Sequence, residues 1–220
     1  VARASFVAFC QTWLDRSWLW AAPRSVVEQR VRLTGAVHEL EGDTPTILFA
    51  PHFYGMDAGG LALPLRSSRA AEASAQSPQL LLSIHGNSAA NGSTAAGFEC
   101  YPAVPGRTWH QESFYFAKLL AGGMQSIGAK LRGRGGVRYI YYLENDQKQL
   151  VENTYTQVRP ERSFTLLEDV DCPAVLAEQC FVTNDEDVEH FGSEQGCKTV
   201  ARIYYEAICT YFGTEPLPVK

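Results

Sequence analysis

"CPAVLAEQCFVTNDEDVEHF", residues 172–191, is the stretch on which the reading of this chain turns. Ala174, Val175, Leu176 and Ala177 form an apolar run of strand length, entered through Pro173 and broken by Glu178. An aromatic, Phe181, and then Asn184-Asp185-Glu186-Asp187, which reads as a helix start, follow. A carboxylate with so apolar an approach is held near a buried site, where desolvation raises its proton affinity toward that of a working acid or base. The plainer reading is a surface carboxylate at a strand end.

Working outward, "LLLSIHGNSAANG" at 80–92 ends a second apolar run on His85. A histidine at the carboxyl end of a parallel strand lies where α/β sheets bind ligands, and neutral imidazole is a good zinc ligand. A hydrogen-bonded loop histidine is the plainer alternative. Strands are expected at 80–84, 98–101, 138–143, 163–167 and 173–178, and a helix over 111–127. A closing helix over 194–212 would bury Val200, Ile203, Tyr204, Ile208 and Tyr211. Strands alternating with helices predict an α/β fold with a mostly parallel central sheet flanked by helices.

Upstream, "RSSRAAEASAQSPQ" at 66–79 is small and polar and reads as a junction, with a short helix on 69–75. Before it, "TILFAPHFYGMDAGG" at 46–60 places a strand at 46–50 ahead of His52 and Asp57. Residues 5–20 set Phe6, Phe9, Cys10, Trp13 and Trp20 near helical spacing, and a second helix over 23–33 starts at Pro23, giving an N-terminal helical segment. The first helix reads either as a core-packing element or as a peripheral membrane contact, with aromatic rings at headgroup depth and Arg16 and Arg24 against lipid phosphates.

The chain has 220 residues, 45% hydrophobic, enough for one α/β domain with a sizeable core or two small units. A net charge of −5 with scattered basic residues argues against nucleic acid as a partner. The six cysteines include no C-x-x-C pair and read as core fillers or reduced thiols. Arg3, Asp15 and Arg16 interrupt the first apolar stretch before it could span a bilayer, and no signal-peptide pattern is visible.

Residues 67–213 resemble the zinc-dependent N-acetylmuramoyl-L-alanine amidases that cut bacterial peptidoglycan, through "LLLSIHGNSAANG", "GFECYP" at 97–102, "RGRGGV" at 132–137 and the 172–191 block. The resemblance implies His85 as a metal ligand, Glu178 as the catalytic base, Zn2+ as cofactor, a muropeptide substrate and a place in the cell wall, periplasm or extracellular space. The first 62 or so residues are similar instead to the amino-terminal half of lauroyl-type acyltransferases of lipid A, whose histidine-x4-acid signature His52 and Asp57 fit. That likeness implies His52 as a base on a sugar-lipid hydroxyl, Asp57 as its orienting partner, and the cytoplasmic face of the inner membrane. Together the two likenesses imply a fusion of truncated segments: 1–65 acyltransferase-like, 66–79 junction, 80–215 amidase-like. The amidases carry an upstream histidine and a ligand glutamate; here His52 is the candidate to substitute for the first as a zinc ligand beside His85 and no glutamate takes the place of the second, so an impaired amidase, an acyltransferase and an inactive fusion all stay open.

Overall fold

The computed structural model describes residues 78–144 and 147–218, all within the second of two units of the chain, Pro78–Lys220. The expected helices at 5–20, 23–33 and 69–75, the strand at 46–50, and His52 and Asp57 lie outside the described residues.

Three strands form the central sheet: β1 (Leu81–Asn87), β2 (Glu99–Pro102) and β5 (Ala174–Phe181), in the order β1-β5-β2. β5 runs parallel to β1 and antiparallel to β2, so the sheet is mixed and the expectation of a mostly parallel one is corrected. The reason lies in residues 88–98, which hold turn and loop but no helix. A parallel return needs a crossover, usually a helix; without one the chain comes back antiparallel. β3 (Arg138–Tyr142) and β4 (Lys148–Glu152) form a separate antiparallel pair, and a bridge from Cys100 to Val137 ties the approach to β3 alongside β2.

The strand expected at 163–167 is instead a short helix, α2 (Thr165–Asp169). Glu168 turns back so that its carboxylate accepts from the Ser163 backbone N–H at 2.8 Å and from Arg107 Nε at 2.6 Å, which satisfies the turn locally. The longer helices fall close to expectation: α1 spans His110–Ser126 and α4 spans Glu194–Phe212, with the three-residue α3 (Asp185–Asp187) and a π-turn at Val188–Gly192 between β5 and α4. Ser193 caps α4 by accepting from Gly196 N–H, and Gly213 ends it in the left-handed region at φ 67°.

Alternation along the strands gives the sheet two unlike faces. One bears Phe98, Cys100, Val175 and Ala177, which pack against Phe116, Ala117, Leu120 and Met124 of α1 and Val200, Ile203, Tyr204 and Ala207 of α4. Ile208 and Tyr211 are partly buried at the margin of this core. Of the described cysteines, Cys100, Cys172, Cys180 and Cys209 are buried free thiols and Cys197 is exposed. The opposite face carries the polar residues.

Candidate active site

On that opposite face β1 presents Ser83, His85 and Asn87, β5 presents Glu178, and β2 presents Glu99 and Tyr101. The register aligns His85 with Glu178 and Glu99 with Glu178, so the two residues read from sequence, His85 and Glu178, share one face on neighbouring strands. A cleft of about 320 Å³ opens there, lined among others by Asn87, Glu99, Arg132, Lys148, Phe164 and Glu178.

Glu99 is 3% exposed and fully engaged. Its Oε1 accepts from Asn87 Nδ2 at 2.8 Å and Arg132 Nε at 3.1 Å, and its Oε2 from Arg138 Nη1 at 3.1 Å. Arg138 Nε also lies 3.3 Å from Glu152 Oε1. The Arg132 guanidinium sits 4.7 Å from the centroid of the Phe181 ring. Two arginines and an asparagine thus fix one carboxylate at the floor of the cleft.

Glu178 is placed differently. Its Oε2 is buried and has no hydrogen-bond partner. Burial, reinforced by the negative charge of Glu99 and opposed by Lys148, pushes its carboxyl up from the usual 4.5 to about 7. An acid balanced between its two forms near neutrality, at the wall of a cleft, can take a proton from water and return it. His85 is half-buried, and its Nε2 lies 2.9 Å from Ser83 Oγ.

Sequence reading passed over Glu99, Arg132, Arg138 and Lys148. The signal for Glu99 was present: a carboxylate within "FECYP", a strand otherwise suited to full burial, needs partners of opposite charge. The partners come from 132 and 138, a loop and a strand whose approach is not visible in the linear order.

Among the described residues no group of three His, Cys, Asp or Glu side chains is arranged to hold a metal. Glu99 is held by its arginines, which leaves His85 as the one expected ligand among them. These residues do not by themselves fit a zinc ion, which takes at least three protein donors.

A family model described as N-acetylmuramoyl-L-alanine amidase matches residues 65–210. The chain belongs to this amidase family. Among solved structures it is similar to the amidase Ami1 from Mycobacterium smegmatis, at 22% identity and a TM-score of 0.50, over 67% of this chain and 60% of that one. It is similar too to an N-acetylmuramoyl-L-alanine amidase from Clostridium difficile 630, at 22% identity and a TM-score of 0.48, over 67% of this chain and 64% of that one. The catalytic domain of CwlV from Bacillus (Paenibacillus) polymyxa var. colistinus gives 22% and 0.48, over 67% and 65%. At this identity the likeness is one of fold, and the chain spans 60–65% of the length of these amidase structures. No curated protein matches. Residues 1–64, which carry the acyltransferase resemblance with His52 and Asp57, lie outside the family match, and neither that match nor these structures support an acyltransferase segment or a fusion.

Proposed function

We propose that this chain hydrolyses the amide bond between N-acetylmuramic acid and L-alanine in peptidoglycan, with Glu178 as the general base. One observation carries the reading: in a member of this family, a half-buried glutamate with one carboxylate oxygen buried and without a hydrogen-bond partner lies on a cleft, its carboxyl raised to about 7. In its ionised form Glu178 takes a proton from water as the oxygen attacks the lactyl carbonyl. As the carbon–nitrogen bond breaks, the same carboxyl returns that proton to the leaving L-alanine nitrogen. Glu99, locked by Arg132 and Arg138, keeps the neighbouring strand and its negative charge in place.

Zinc is the proposed cofactor, with His85 as a ligand and His52 as a second; donors from residues outside those described must complete the set, so no step is routed through the ion. A set left incomplete would make the enzyme impaired. The proposed division is a domain at 80–215, a junction at 66–79 and a preceding segment at 1–65. The proposed setting is the cell wall, periplasm or extracellular space, where the substrate is. No helix among the described residues is long and apolar enough to cross a membrane. Release of L-alanyl peptide from a purified muropeptide by the full chain tests the reading; no release at any metal loading would replace it with an inactive protein.

A further inference from the structure

We propose that Lys148 is a specificity-determining residue that binds a substrate carboxylate beside the scissile amide, so that a stem peptide whose second residue keeps its α-carboxylate free is bound in preference to one in which that group is amidated. The inference rests on the amidase reading and names the substrate class within it.

The charges around the cleft lead there. Glu99, Arg132, Lys148 and Glu178 line it. Glu99 is matched by Arg132 and Arg138, and Arg138 is also matched by Glu152, so these two arginines and two glutamates balance. Lys148 is left over: among the described residues it makes no ion pair. Its ammonium stands 5.8 Å from the centroid of the Tyr142 ring and 6.0 Å from that of Phe164, and Phe164 lines the same cleft. Ring faces hold a cation in place without using up its N–H donors as a carboxylate would. Lys148 acts on Glu178, which lines the same cleft, in the sense opposite to burial.

A surplus cation at a cleft wall, on a chain whose net charge is −5, favours an anionic group on whatever the cleft binds. The bond to be cut joins the lactyl group to L-alanine, and the next residue of the stem is a glutamate linked through its side chain. Its α-carboxylate is therefore the first anion along the peptide from the scissile bond, and amidation removes that charge while preserving size.

The test uses the full chain and two synthetic muramoyl dipeptides that differ only in an α-carboxylate or α-carboxamide on the second residue. Equilibrium binding is measured for the wild type, Lys148→Met and Lys148→Arg, each checked for an unchanged melting temperature. The acid should bind about tenfold more tightly than the amide to the wild type, within about twofold of it for Lys148→Met, and again preferentially for Lys148→Arg. Equal affinities in the wild type, equal weakening of both peptides by Lys148→Met, or no binding of either would overturn the proposal. Hydrolysis followed in parallel separates the two readings. Cleavage without discrimination removes the role of Lys148 and leaves the amidase standing; Lys148-dependent discrimination without cleavage does the reverse.

Discussion

Glu99 and Glu178 stand opposite one another on β2 and β5, and the two carboxylates meet opposite fates. Glu99 is gripped by Arg132, Arg138 and Asn87, whereas one oxygen of Glu178 is buried with no partner. Burial first, and then the negative charge of Glu99 on the adjacent strand, raise the carboxyl of Glu178. The arginine clamp holds that neighbouring charge in place.

Glu178→Gln keeps the size of the side chain but cannot accept a proton from water. Hydrolysis of a muramoyl peptide should fall by roughly 10²–10⁴-fold in kcat, with KM little changed. Rates within a few-fold of wild type would take Glu178 out of the mechanism.

The pH dependence follows from the same group. The base must be ionised, so kcat/KM should rise with pH and reach half its plateau near 7. Stability runs the other way. The folded-state value is raised above the unfolded 4.5, so the favourable contribution is present below 4.5 and lost as pH rises through about 7. Glu178→Gln should accordingly be more stable than wild type above pH 7, by about 1–2 kcal/mol after allowing for partial exposure, and no more stable below pH 4.5. Glu99→Gln removes the charge that reinforces the shift, and should move the rising limb of the rate profile toward acid. Matched pH–rate and urea-unfolding series check both signs.

The strand that carries Glu178 was legible because an apolar run broken by a lone carboxylate is a local pattern, and helices α1 and α4 because their apolar faces repeat within the segment. The direction of β2 was not legible: it depends on whether a loop of glycine, asparagine and serine contains a crossover, which no periodicity records. A strand was expected at 163–167, but the turn there is closed by the side chain of Glu168 through contacts with Ser163 and Arg107, and the segment is helical. The cations around Glu99 escaped for a similar reason, since Arg132 and Arg138 reach it across 33 and 39 positions of sequence.

His85 is the expected metal ligand among the described residues, and zinc content tests it without reference to turnover. The full chain, loaded with zinc and dialysed, should retain about one ion, and His85→Ala should retain little, because a three-donor site reduced by one holds zinc weakly. Zinc kept in full by His85→Ala would remove His85 from the set. Loss in both His85→Ala and His52→Ala, with Asp57→Ala unaffected, is the pattern expected if His52 completes the pair.

Asp187 is the residue through which the frame of the site can be loosened without touching the cleft. It is buried, and its Oδ2 accepts from the backbone N–H of Gly97 at 2.8 Å and of Phe181 at 2.8 Å. Gly97 leads into β2 just before Glu99, and Phe181 ends β5 just after Glu178, so one oxygen ties together the strands that carry the two carboxylates. Gly97 has no slack to give: its φ is +104°, and a Cβ there would lie 2.3 Å from the Lys130 carbonyl oxygen. Asp187→Ala leaves two buried N–H groups unpaired and should cost about 2–4 kcal/mol, whereas Asp187→Asn keeps one acceptor oxygen and should cost about half as much. Urea unfolding measures both. Because the strands and not the substrate contacts are disturbed, any loss of activity in the surviving folded enzyme should appear in kcat more than in KM. A stability unchanged in Asp187→Ala would mean that these N–H groups find water instead, and that the register of Glu99 against Glu178 is held by the sheet alone.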